Sequence, residues 1–220
     1  MSAPTVVRDL VVAHTRMLKL PGVARTFESL ARQARDSHWS HEDYLHEVLR
    51  AEEASRHESV IRQRLREARF PEVKTLDTFD FAAADGINAT QVHTLARGEW
   101  VTAPENLILA GPIGTGKTHL AIALGVAATQ QKRRVLFTRA ADLVRHLLEA
   151  RDARALTRLQ QRLLRVDVLI VDELGFVPFD RVGGELLFNL LADRYERRAT
   201  VVTSNLGSPN RSPYLPAMRS

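Results

Sequence analysis

The octapeptide GPIGTGKT at residues 111–118 constrains this chain more than any other stretch. It fits G-x-x-x-x-G-K-[ST] and stands between an apolar run, NLILA, and a helical one, KTHLAIALGVAATQQ. In that setting the loop reads as a phosphate cradle. Gly111, Gly114 and Gly116 permit backbone conformations that a side chain would obstruct, so the loop can turn its N–H groups inward. The following helix adds the positive end of its dipole. Lys117 supplies a mobile charge for the β and γ phosphates, and Thr118 a hydroxyl for Mg2+. Pro112, Ile113, Thr115 and His119 complete the stretch expected against a nucleotide.

A second signal supports the first. VDVLIVDELG is an apolar strand that delivers Asp172 and Glu173 at its C-terminal end, where open parallel sheets bind ligands. Asp172 is placed to hold the Mg2+ shell, and Glu173 to orient or deprotonate the attacking water. Asn205 follows the last apolar strand, TVVTS, and is expected to bond the γ-phosphate or the water; the alternative is an Asn that caps a turn. That strand is expected between the loop strand and the Asp172 strand. The set implies ATP and Mg2+ as cofactors, with Lys117, Glu173 and Asn205 as the catalytic candidates.

From residue 106 onward short apolar runs alternate with helical stretches: NLILA, RVLFT, DVLIV and TVVTS, separated by helices. Continuous apolar strands between helices predict a parallel sheet covered on both faces, a three-layer α/β/α fold of the P-loop type. The first seventy or so residues read as helical, with Ser40 and Asp43 resembling a capping box and Pro71 closing the stretch. The expected organisation is a small helical domain over 1–75, an α/β core over 76–206 and a tail over 207–220. Trp39 and Trp100 read as packing residues, with a place near the adenine as the alternative for Trp100.

The chain has no cysteine, which excludes disulfides and thiolate zinc sites and fits a reducing cytoplasm. Its longest apolar runs are far too short to cross a bilayer, and no signal peptide is expected, so no membrane partner is either. His41, Glu42 and His46 miss the H-E-x-x-H spacing by one residue, and no metal site is expected there. The net charge is +5, and residues 130–165 hold ten Lys and Arg against three acids. Arg154, Arg158, Arg162 and Arg165 would share a face of one continuous helix. Such a stripe suits phosphate contacts without base reading, or is a solvated helix face.

NLILAGPIGTGKTHLAIALG, VDVLIVDELGF and LLFNLLADRYERRATVVTSNL resemble the IstB-like ATP-binding proteins, helper ATPases encoded with a transposase in bacterial insertion sequences. LKLPGVARTFESLARQ and TLDTFDF resemble the same family, so the likeness spans about residues 18–206. The resemblance implies the AAA+ class, with DnaC and DnaA as relatives. It implies a Walker A motif at 111–118, a Walker B at Asp172 and Glu173, and a sensor at Asn205. It also implies duplex DNA, a transposase and further copies of the chain as partners. A replication helicase loader of the DnaC type is the near alternative.

The tail departs from that pattern. The resemblance calls for a fifth strand and a helical lid after residue 206, together with arginines that reach nucleotide. The chain instead reads GSPNRSPYLPAMRS, whose prolines disfavour a helix or a central strand. A core lacking its last strand and lid is expected, with NLILA at an open sheet edge. Hydrolysis would then be slow unless Arg194 or Arg197 supplies the missing charge, and a nucleotide-binding remnant without turnover is the third reading.

Overall fold

The computed structural model describes residues 3–84, 86–175 and 179–205. The chain forms two compact units that divide between Arg62 and Gln63. The residues expected to form the tail, 207–220, lie outside the described part.

The first unit is helical. Helix α1 covers Ala3–Met17 and α2 Pro21–Asp36, and α3, His41–Ala68, begins in this unit and ends in the second. Ser40 and Asp43 start α3 by a reciprocal cap: the Asp43 N–H donates to Ser40 Oγ at 3.0 Å, and the Ser40 N–H to the Asp43 carboxylate at 3.3 Å. Val23, Phe27 and Val48 form a small apolar centre with Val11, Val12, Leu20, Leu30 and Tyr44 around it. At Gly22 a Cβ would lie 2.6 Å from the Ala51 carbonyl oxygen, so glycine sets how closely α2 meets α3.

That close approach serves a buried carboxylate. Glu52 is 5% exposed and accepts from the N–H groups of Gly22 at 2.7 Å and Val23 at 3.2 Å, and from Arg56 at 2.8 Å. The α2 N-terminus therefore donates its free N–H groups to an acid from another helix. Burial pushes the Glu52 pKa up, but the bonds from Arg56, Val23 and Gly22 outweigh it, and the net direction is down. A lowered acid pKa adds stability that is complete above the ordinary glutamate range and is lost as pH falls through the folded value. Glu52→Ala should cost about 3 kcal/mol by leaving two N–H groups unpaired. Urea unfolding at neutral and acid pH checks both parts, since the gap between wild type and variant should narrow in acid.

The second unit holds the sheet. Strands β1 (Asn106–Ala110), β2 (Val135–Arg139), β3 (Val168–Leu174) and β4 (Ala199–Ser204) are all parallel, in the order β1-β4-β3-β2. β4 thus lies between the loop strand and the Asp172 strand, as the sequence implies. Alternation along β3 sorts its side chains: Val168 and Ile170 face one apolar layer, Leu169 and Val171 the other. β3 is buried on both sides, which is why its sequence is apolar without a break.

Helix α6, Lys117–Gln130, covers the first face with α4 (Ala89–Ala96), α5 (Glu99–Thr102) and the connector aromatics Phe70, Phe79 and Phe81. Leu120, Ala121, Ile122, Ala123, Leu124, Val126 and Ala128 are all buried, as expected of a helix apolar all round. Trp100 is 4% exposed and donates to the Leu95 carbonyl at 2.7 Å, so it is a packing residue. Helices α7 (Ala140–Asp152), α8 (Leu156–Leu164) and α9 (Arg181–Arg194) cover the other face. Among the described residues β1 borders only β4, and Ile108 is half exposed on it, so the NLILA strand stands at the edge of the described sheet. No helix among the described residues is long and apolar enough to cross a membrane.

Candidate nucleotide site

The site lies at the carboxyl ends of β1, β3 and β4. The loop after β1 leaves the sheet with the Gly111 N–H bonded to the Ser204 carbonyl at 3.2 Å, so it hangs from the end of β4. Gly114 and Gly116 have φ of 85° and 83°, the left-handed region in which a side chain is strained. At Gly116 a Cβ would also lie 2.7 Å from the Phe79 ring. Phe79 packs edge-on against His119, whose Nε2 lies 3.0 Å from the Thr75 carbonyl oxygen. The connector thereby braces the first turn of α6, and His119 is engaged with the connector.

Lys117 is 6% exposed and folds back on its own loop. Its ammonium donates to the Pro112 carbonyl at 2.6 Å and lies 3.4 Å from Thr115 Oγ1. Burial lowers its pKa, and the nearby Asp172 charge pulls it partly back. Among the described residues it forms no ion pair. A desolvated cation held only by a carbonyl and a hydroxyl fits an incoming phosphate charge.

Opposite it, Asp172 is 2% exposed, and its Oδ1 accepts from Thr118 Oγ1 at 2.9 Å and from Thr203 Oγ1 at 2.5 Å. A carboxylate beside a hydroxyl is the hard oxygen donor set that Mg2+ prefers. Lys117, Thr118 and Asp172 are thus brought together, 54 residues apart in sequence.

Glu173 is placed by a bulge. Val171 pairs with Val202 and Leu174 with Ser204, so Asp172 and Glu173 together oppose Thr203. Bulges of this kind re-aim side chains beside functional sites. Glu173 has a φ of 61° and its side chain is half exposed, with Oε2 3.7 Å from Arg139 Nε. A pair so long and so open to water holds the carboxylate only weakly. Asn205 sits just beyond β4, half buried, and its side chain makes no hydrogen bond among the described residues.

Sequence reasoning missed Thr203. Its hydroxyl donates to Asp172 and accepts the Glu173 N–H at 2.9 Å, closing the bulge. The polar strand tip was visible in TVVTSN, but the alternation that buries Thr203 and the bulge that opposes it to both acids are matters of pairing. Thr203→Val should cost about 2 kcal/mol by leaving the Glu173 N–H and Asp172 Oδ1 each short of a partner. Thr203→Ser should keep most of that stability, which thermal melts of both variants will read.

Two arginine expectations change. The four arginines do not share one helix: α7 ends at Asp152, and Arg154 stands in the turn at φ 55°, below the bond from the Ala155 N–H to the Ala150 carbonyl. Arg158 and Arg162 lie on α8, and Arg165 caps its end. Arg194 cannot reach a phosphate. It is fully buried, and its guanidinium donates to the carbonyls of Leu163 at 2.6 Å, Val166 at 3.2 Å and Ala199 at 2.7 Å.

The family described as IstB-like ATP binding protein matches residues 13–212. The chain belongs to the IstB-like ATP-binding proteins. A relative from Pseudomonas aeruginosa, named as an ATP-binding protein of insertion sequence IS21, is 42% identical over 190 residues, 86% of this chain and 72% of its own length. One from Geobacillus stearothermophilus, named for insertion sequence IS5376, is 30% identical over 198 residues, 90% of this chain and 79% of its own. Among solved structures, the DnaC helicase loader has a TM-score of 0.54 at 24% identity, covering 63% of this chain and 80% of that one. AMPPCP-bound DnaA from Aquifex aeolicus has a TM-score of 0.51 at 22% identity, covering 61% and 42%. The two structures share with this IstB-like chain the AAA+ P-loop fold.

Proposed function

We propose that this IstB-like protein binds ATP with Mg2+ in the 111–118 cradle. On this reading it serves as a helper of DNA transposition in the bacterial cytoplasm. It acts on duplex DNA together with a transposase and further copies of itself. The observation that carries this reading is the meeting of Lys117, Thr118 and Asp172 at the carboxyl end of the sheet. The names of the insertion-sequence relatives support the transposition role over helicase loading. We assign residues 1–75 to the helical domain and 76–206 to the ATPase core as functional regions, although the compact unit that holds the sheet begins earlier, at Gln63.

Each residue has a task in this reading. The loop N–H groups between Gly111 and Gly116 bind the phosphates, and Pro112, Ile113 and Thr115 shape their path. Lys117 leaves the Pro112 carbonyl for the β and γ phosphates, exchanging a neutral acceptor for a charged one. Mg2+, when bound, neutralises charge on the β and γ phosphates. Thr118 and Asp172 are the residues that would hold it. Glu173 swings from its weak contact with Arg139 to orient the attacking water and take its proton, with Asn205 beside it.

Nucleotide binding and ATP turnover by the purified protein, with and without duplex DNA and Mg2+, test the reading. Saturable binding that needs Mg2+, with turnover raised by DNA, is the expected result. Binding without turnover would reduce the protein to a nucleotide-dependent binder. No nucleotide binding by folded protein would overturn the reading.

A further inference from the structure

A wide concavity in the α/β unit lies away from the nucleotide site. A cavity of about 840 Å3 opens between β2, α7 and α8, with Arg69 at its wall. β2 is the outer strand of the sheet here, so no further strand fills the space among the described residues. Four arginines line it: Arg69, Arg158, Arg162 and Arg165, with His146 between. All four are exposed, and none forms an ion pair or a side-chain hydrogen bond among the described residues. Glu149 is the acid in the lining, and it already lies 3.5 Å from Arg145.

Like charges gathered around a concave, partly apolar wall repel one another and focus a positive field. A polyanion relieves that repulsion. Phe137 is 8% exposed and the exposed His146 is a small ring that offers a base little area, so the four guanidinium charges dominate the lining. Phosphates, not bases, suit such a surface. Arg154 does not line the cavity, although it belongs to the same run in sequence. Arg69 does, although it follows α3 and stands far from α8 along the chain, set by a backbone φ of 58° just beyond the buried Ala68.

We propose that this cavity seats one strand of the phosphate backbone of duplex DNA, with Arg69 acting alongside Arg158, Arg162 and Arg165. The assignment rests on the DNA-binding part of the function proposed above and states where that contact is made. Arg154 is outside it.

The test is anisotropy of a short fluorescein-labelled duplex on the purified full chain with Mg2+ and AMPPCP, across a salt series. Arg69→Gln and Arg162→Gln should each weaken binding several-fold and reduce the salt slope by about 0.9, one phosphate contact each. Arg69→Lys should restore the slope, because the charge and not the fork is what matters. Arg154→Gln should change neither. Wild-type binding that Arg69→Gln leaves untouched and Arg154→Gln weakens would overturn the cavity while leaving DNA binding in place. Binding of single strands with none of duplex would overturn the duplex seat. A wild type that binds no DNA at low salt would end the DNA reading and this assignment with it.

Discussion

Lys117→Ala should weaken ATP binding by roughly 100-fold without harming the fold. Its ammonium is buried against a carbonyl and a hydroxyl and forms no ion pair among the described residues. A charge-assisted bond to phosphate is worth up to about 3 kcal/mol, so its loss weakens binding by roughly 100-fold. The same burial works in the opposite sense on stability. A lysine whose pKa is lowered in the fold makes stability rise as pH climbs through the folded value towards the unfolded one. Burying that charge therefore works against the stability of the fold. The variant should melt at the wild-type temperature or above it without nucleotide, and should lose the stabilisation that Mg2+-ATP gives the wild type. Calorimetric titration and paired thermal melts will show both. A variant that binds as tightly as wild type would remove Lys117 from the site.

Arg194→Met should produce the largest loss of stability of any change considered. The side chain is fully buried, yet its guanidinium serves three carbonyls and lies 3.2 Å from Thr200 Oγ1. Burial pushes its pKa down to about 10, with Arg198 adding to the effect, so it remains charged at neutral pH. Methionine fills much the same space but donates nothing, so the carbonyls of Leu163, Val166 and Ala199 all lose the guanidinium's bonds. Each is an end of a different element: α8, the turn before β3, and the start of β4. The expected cost is about 4 kcal/mol, a large part of the stability of a domain this size. Urea unfolding will measure it, and Arg194→Lys should fall between, since one ammonium cannot serve all three carbonyls.

These two residues also mark how far the sequence could be read. The cradle and the Asp172 strand were legible because each depends on local rules: glycines at a fixed spacing, apolar runs of strand length, a helix after a loop. Lys117, Thr118 and Asp172 meet as that pattern predicts. Arg194 was misread because an arginine at the end of an amphipathic helix is ordinarily solvent-facing, and nothing in ADRYERR shows three carbonyls converging on it. The arginine stripe failed for a related reason. A single left-handed residue, Arg154, ends α7, and neither Gly nor Pro stands there to announce the break. Thr203 and Arg69 belong to a third kind, residues whose neighbours are set by sheet pairing and by chain return.

The backbone at Glu173 carries its own consequence. A glutamate held at φ 61° occupies a conformation that glycine or asparagine adopts with ease and that costs other residues about 1 kcal/mol or more. Random substitution screened only for thermal resistance would drift toward those two residues there and remove the carboxylate in doing so. On the function proposed above, durability and turnover therefore select opposite side chains at one position, and a hyperstable derivative of this protein would have to find its gains elsewhere.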